Sequence, residues 1–318
     1  MAVHETEPLL AIVGPTASGK TELALDVAER LGAEIVCADS PTVYRGMDVG
    51  TAKPTPEQRS RVPHHLVDVA EPSEPFTVAG YQELAREAIE DIGARGRVPL
   101  LVGGSGLYVR AIVDDLAFPP TDPDVRDRLQ REAAHAGAVE MYRRLSELDP
   151  ASADRIEPDN VRRTVRALEV AEITGRPFSS FARAWDRYPP ERVRAAGIDV
   201  PRPELYERIE ARVRGQLAEG LIEEVKELAH RGLTAWLTAG QAIGYAEFAR
   251  HLEGELGLDE AVARTVKRTK ALARRQLGWF RRDPRVRWFP HGTPGLAEAV
   301  AGYLHGTHDA RGMTWSTR

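Results

Sequence analysis

The chain of 318 residues has a single cysteine, Cys37. One thiol cannot close a disulfide within the chain or build a zinc or iron–sulfur centre on clustered cysteines. Such sparing use favours a reducing compartment. No apolar stretch approaches the roughly 18 residues of a membrane span. The formal net charge of −5 leaves no global basic excess to announce a nucleic-acid partner, so only local clusters can make that case. The opening MAVHETEPLL is acidic where a secretory signal is basic. Internal repeats and low-complexity tracts are absent. These absences lead us to expect a soluble cytoplasmic enzyme, with no membrane association and a monomeric state. What is present, 42% hydrophobic and 29% charged residues, is ordinary for a globular protein. The length suits one large or two modest domains that fold without covalent staples.

Short apolar runs at Leu9–Val13, Ala33–Ala38 and Val98–Val102 read as buried strands, the first and last closed by glycines. Between them, Gly19–Leu31 and Val78–Ile92 have helical periodicity, with Gly32 as a stop signal. Strands alternating with helices predict an α/β fold with a parallel sheet covered on both faces. The texture changes near Phe118, where Pro119, Pro120 and Pro123 interrupt the chain. Helical patterns then occupy Asp124–His135, Val139–Leu148 and Asn160–Thr174 without a convincing strand. We therefore expect a helical insertion at 118–195 within an α/β core made of 1–117 and 196–318. In the second part of that core a strand is expected at Ile198–Val200. One long helix is expected at Pro203–Ala229, another near Leu258–Phe280, and a last strand at Val286–Phe289. The polar tail from Gly306 reads as loose.

The sharpest local signal is Gly14-Pro15-Thr16-Ala17-Ser18-Gly19-Lys20-Thr21. It satisfies G-x-x-x-x-G-K-[ST] at every fixed position, after a predicted strand and at the start of a predicted helix. A chance match in a chain of this length is on the order of one in a hundred. Such a P-loop turns successive backbone N–H groups inward and adds the positive end of a helix, which makes a nest for a polyphosphate. Lys20 would reach phosphate oxygens and Thr21 would help to hold Mg²⁺. The loop implies binding of a di- or triphosphate and leaves open what is transferred.

Asp39 follows the second strand, on the edge of the sheet where ligands bind in open α/β folds. It is a candidate general base or metal-associated carboxylate, against the commoner role of a turn-forming aspartate. Gly103-Gly104-Ser105-Gly106 ends the third strand. Its glycines would admit close approach of a ligand, and Ser105 is either a site hydroxyl or a helix N-cap. His64 and His65 are adjacent on an extended segment and point opposite ways, so they are not read as a metal pair. Cys37 is read as inert core.

Two basic clusters stand out. Arg162, Arg163 and Arg166 fall within reach of one another on a helix. A longer run from Arg264 to Arg287 holds ten lysines and arginines against Asp283 alone, interleaved with Trp279, Phe280, Trp288 and Phe289. The charge suggests a polyanion partner, while the aromatics read as core. These residues alone admit an ATP-dependent small-molecule kinase, an enzyme that prenylates free adenine nucleotides, and a noncatalytic RNA-binding module.

An ordered series of motifs separates these readings. It comprises GPTASGKT at 14–21, DSPTVYRGMDVGTAKP at 39–54, PHHLVDV at 63–69, LLVGGSGLYVRA at 100–111, RRTVRALEV at 162–170, AIGYAE at 242–247 and RRQLGWFRRDPRVRWF at 274–289. In this order they resemble the tRNA dimethylallyltransferase family, also called tRNA isopentenyltransferases, over nearly the whole chain. The resemblance implies a P-loop core with a helical insertion. It also implies Mg²⁺-dependent transfer of a five-carbon prenyl group from dimethylallyl diphosphate to N6 of an adenine. That adenine lies just 3′ to the anticodon in tRNAs that read codons beginning with U. Asp39 would accept the N6 proton, Lys20 and the P-loop would act on the leaving diphosphate, and Ser105 would stand where a threonine is common. Contacts to the tRNA anticodon stem-loop would fall on Asp39, Ser40, Pro41 and Thr42, on Ser105 and Arg126, and on Arg162, Arg163, Thr164, Val165 and Arg166. Segment 241–246 is a further candidate. The sequence departs from the family pattern at Asp39-Ser40-Pro41-Thr42, where members commonly have Asp-Ser-x-Gln. The usual amide reader of adenine is thus missing at 42.

Overall fold

The computed structural model describes residues 8–184, 187–236 and 238–306. The polar segment expected to be loose, beyond Gly306, lies outside these residues. The strands are β1 (Leu9–Val13), β2 (Ala33–Cys37), β3 (His64–His65), β4 (Val98–Gly103), β5 (Val193–Asp199) and β6 (Val286–Pro290). They form one sheet in the order β3-β2-β4-β1-β5-β6, with every pair parallel. The chain divides into two compact units, one of 1–113 with 188–318 and one of 114–187.

In chain order the helices are α1 (Lys20–Leu31), α2 (Pro56–Arg61), α3 (Val78–Ala94), α4 (Gly106–Val113), α5 (Pro123–Leu148), α6 (Pro150–Ala153), α7 (Val161–Thr174), α8 (Arg202–Ala218), α9 (Leu221–His230), α10 (Tyr245–Leu252), α11 (Leu258–Phe280) and α12 (Leu296–His305). Side chains alternate across the sheet. Ile12, Ile35, Leu100 and Val102 therefore pack with α1, α8 and α12. Ala11, Val13, Val36 and Leu101 pack with α3 and α4. Both faces are dry, as an all-parallel sheet requires. Among the described residues no helix is long and apolar enough to cross a membrane.

The helical unit is built on α5 and α7, which pack Leu129, Met141, Leu145, Val165 and Leu168 together. Gly137, at φ 82°, kinks α5 between the two expected helical patterns.

Three expectations need correction. The strand expected at Ile198–Val200 begins at Val193, because Leu9 to Val13 pair with Val193 to Gly197. Residues 193–195 thus belong to the sheet, and the compact helical unit ends at Arg187 rather than at 195. The helix expected over 203–229 is two helices, since Gly220 turns left-handed at φ 97° and starts α9.

Candidate active site

The P-loop leaves the C-terminal end of β1 and enters α1. Ala17 and Gly19 take φ of 63° and 85°, which turns the backbone inward. Ser18 is wholly buried and its hydroxyl has no partner among the described residues. Lys20 opens α1 and is largely buried. Inward-turned backbone, a helix start and an unspent hydroxyl fit a diphosphate.

Asp39 follows β2 and makes no capping bond to the short 3₁₀ turn Ser40–Val43. Its carboxylate instead reaches across the end of the sheet. Oδ1 accepts from the backbone N–H of Gly104 at 2.6 Å, and Oδ2 lies 3.4 Å from Lys20 Nζ. Ser105 Oγ accepts the backbone N–H of Ser40 at 3.1 Å, so this hydroxyl joins two strand-end turns rather than capping its own helix. Thr42 is buried and its hydroxyl donates to the Asp39 carbonyl at 2.8 Å. Ser40 and Pro41 line the same cavity as Asp39.

Glycines at 103–106 serve the packing of these turns. A Cβ on Gly103 would sit 2.2 Å from the Ala38 carbonyl oxygen, and one on Gly106 would strike the Trp279 ring at 2.1 Å.

These groups surround a cavity of about 190 Å³. Thr16, Lys20, Thr21, Asp39 and Ser105 give it a polar side. Ala24, Ile35, Cys37, Val102 and Leu272 give it an apolar one. Burial pushes the Cys37 thiol up to about 12, which keeps it protonated and inert. Among the described residues no three His, Cys, Asp or Glu side chains converge on a metal position. The Thr21 hydroxyl at the end of the P-loop is an oxygen donor of the kind that magnesium takes.

Arg212 and Gln276 are among the cavity residues that the sequence did not single out as site candidates. Arg212 of α8 lines the cavity and donates to the Thr51 carbonyl at 3.1 Å. Burial weakens its hold on the proton, and the charge of Asp39 works against that shift. The signal was present: Arg212 falls on the helix face of Ile209, Val213 and Gln216, all buried. Gln276 of α11 also lines the cavity, and its Oε1 accepts the Thr16 N–H at 2.9 Å.

The cavity wall at 48–54 is fixed from outside. Glu224 accepts the N–H groups of Asp48, Val49 and Gly50 at 2.8, 2.8 and 3.1 Å. Gln216 donates to the carbonyls of Val49 and Gly50. Lys53 is buried between Asp48 and Asp68. His64 and His65 diverge as expected, to the Val62 carbonyl at 2.7 Å and to Glu34 at 2.7 Å.

In the helical unit the expected tRNA contacts separate into two groups. Arg126 pairs through two nitrogens with the fully buried Glu169. Arg166 joins the same carboxylate at 3.0 Å and donates to the carbonyls of Pro119 and Pro120. Thr164 and Val165 are 1% and 2% exposed, so their side chains hold the helix and are not available to a partner at its surface. Arg162 and Arg163 are exposed, with no side-chain partner among the described residues.

The C-terminal basic run is partly neutralised, by Asp283 within it and by acids outside it. Arg264 pairs with Glu260, Arg268 with Glu247, Lys270 with Glu210, Arg281 with Asp199 and Arg285 with Asp283. Lys267, Arg274, Arg275, Arg282 and Arg287 keep no acidic partner among the described residues. The interleaved aromatics are packing groups, as expected. Phe280 is buried, and Trp288 lies against Gly197.

A P-loop beside a held carboxylate, at the C-terminal edge of a parallel sheet, defines a P-loop α/β fold. The family model described as "IPP transferase" matches residues 42–283, and "Isopentenyl transferase" matches 7–67. A tRNA dimethylallyltransferase of Thermobifida fusca is 51% identical over 91% of this chain and 92% of its own. The full-length tRNA isopentenylpyrophosphate transferase of Bacillus halodurans is 39% identical with a TM-score of 0.67, covering 95% of this chain and 98% of its own. A eukaryotic dimethylallyltransferase acting on tRNA, 22% identical over 96% of this chain and 81% of its own, shares the fold with a TM-score of 0.76. The chain belongs to the IPP transferase family, whose curated relatives are named tRNA dimethylallyltransferases.

Proposed function

We propose that the chain transfers the dimethylallyl group of dimethylallyl diphosphate to N6 of the adenine just 3′ to the anticodon, in tRNAs reading codons that start with U. The observation that carries this reading is the Asp39 carboxylate, held by the Gly104 N–H and facing Lys20, in a cavity with both a phosphate loop and an apolar wall.

The allylic C1–O bond breaks, the N6–C1 bond forms, and the N6 proton passes to Asp39. Positive charge on the allyl fragment is delocalised, and negative charge collects on the departing diphosphate. Backbone N–H groups of Gly19, Lys20 and Thr21, with the Lys20 and Arg212 side chains, stabilise that charge. The Thr21 hydroxyl would help to hold a magnesium ion, which would supply further neutralisation of the leaving group. The apolar residues Ile35, Cys37 and Val102 shelter the prenyl tail from water. The acceptor adenine leaves the anticodon-loop stack to enter the cavity. Arg162 and Arg163 grip the RNA backbone as unpaired cations. Ser105, by keeping Ser40 in place, holds the turn that carries Asp39.

Product analysis separates this reading from phosphoryl transfer. Turnover on tRNA releases inorganic diphosphate; release of ADP from ATP without diphosphate overturns it.

A further inference from the structure

We propose that Gln276 reads the acceptor adenine, its side-chain amide donating to a ring nitrogen beside the N6 amine that Asp39 engages. The inference rests on the transfer reaction proposed above.

Gln276 is 9% exposed and lines the cavity. Its two amide ends are distinguished by their surroundings. The Thr16 backbone N–H donates to one end at 2.9 Å, so that end is the oxygen. Nε2 therefore turns the other way, and it has no partner among the described residues. It is directed at Gly104. A Cβ on Gly104 would lie 2.6 Å from Nε2, 2.9 Å from the Gly14 carbonyl oxygen and 3.1 Å from Asp39 Oδ1. An N–H donor and a carboxylate acceptor thus stand on either side of Gly104, at a position where no larger residue fits.

That pair is complementary to one ligand edge. Adenine presents the N6 amine as donor with an acceptor nitrogen, N1 or N7, next to it. A single Asn or Gln amide reads this pattern elsewhere with its own oxygen and nitrogen. Here the oxygen comes from Asp39 and the nitrogen from Gln276. Thr42 cannot supply the donor, because it is buried and its hydroxyl hydrogen goes to the Asp39 carbonyl. Guanine would set its O6 acceptor against the carboxylate and be repelled. The same two side chains therefore supply the proton acceptor and the choice of base.

The test is a cycle in which the protein donor and the RNA acceptor are removed separately and together. The protein variants are Gln276→Glu, which keeps an acceptor for Thr16, and Gln276→Leu, which keeps neither function. The RNAs carry adenine, 1-deazaadenine or 7-deazaadenine at the acceptor position. In the wild type, loss of the nitrogen facing Gln276 should lower kcat/KM about tenfold. In both variants the same change should cost no more than about twofold. Equal losses in wild type and variants for both deaza RNAs would overturn the assignment. So would variants that change only the KM for dimethylallyl diphosphate, since the amide would then serve the leaving group. Failure of the wild type to prenylate the adenine RNA would instead reject the underlying reaction.

Discussion

Lys20 Nζ and Asp39 Oδ2 lie 3.4 Å apart, joining the first turn of α1 to the end of β2. This contact joins the two halves of the proposed chemistry, the group that faces the leaving diphosphate and the group that receives the proton. Asp39 is fixed by the Gly104 N–H, and its capping role in the following turn is left unused. Asp39→Ala should therefore lower kcat by at least about 100-fold while the Kd for tRNA stays within about threefold. Full turnover in that variant would remove Asp39 from the role of base.

Arg212 places a half-buried guanidinium in the cavity that holds Lys20. Because its charge would act on the leaving group, Arg212→Ala should reduce kcat/KM for dimethylallyl diphosphate by roughly 100- to 1000-fold. Inhibition by added diphosphate should weaken in parallel. Steady-state kinetics with the tRNA held saturating gives the answer, and unchanged inhibition by diphosphate would contradict the assignment.

Arg163 is an exposed cation with no side-chain partner among the described residues, in contrast to Arg126 and Arg166, which are committed to Glu169. Arg163→Ala should weaken tRNA binding and reduce the slope of log K against log salt by about 0.7–0.9. A salt series by filter binding tests this; an unchanged slope and Kd would reject the contact. Arg126→Ala should act differently, by leaving Glu169 buried without that partner and destabilising the helical unit by about 3 kcal/mol.

Glu34 sits at the start of β2, away from Asp39, with its carboxylate bound by Arg95 and His65. The Arg95 guanidinium, with His65 adding to it against the effect of burial, lowers the Glu34 carboxyl to about 2 from an ordinary 4.5. The folded-state value lies below the unfolded one. Its contribution is therefore complete above about pH 4.5 and is lost as the pH falls through about 2. Glu34→Gln should cost about 1–3 kcal/mol at pH 7, and the gap to wild type should narrow as the pH falls below 4.5. Urea unfolding at pH 7, 4 and 3 measures this. A gap that does not change with pH would show that the carboxylate is not paired.

Where local sequence determined local structure, the fold was legible. The run Leu9–Val13, the P-loop and the α1 stop at Gly32 needed only neighbouring residues to be read. The misread elements depend on distant partners. Val193-Arg194-Ala195 is not a conspicuous apolar run and becomes strand because β1 offers it an edge. A regular apolar pattern hid the break at Gly220, which is set by a left-handed backbone angle.

The site shows the same division. Asp39 could be placed from its position after a strand, but its Gly104 and Lys20 partners are 65 and 19 positions distant and become neighbours only in the folded sheet. The basic run at 264–287 looked almost unopposed because Glu247, Glu210 and Asp199 lie outside it in sequence. Gln276 lay inside the motif at 274–289 without standing out: one glutamine on a basic helix acquires meaning only when its amide meets Thr16.

The most direct test of the account is transfer from labelled dimethylallyl diphosphate, with magnesium, to an unmodified tRNA carrying adenine 3′ to its anticodon. We expect label in the tRNA and its loss when that adenine alone is replaced. Label in AMP but not in tRNA, or no transfer to either, would contradict it.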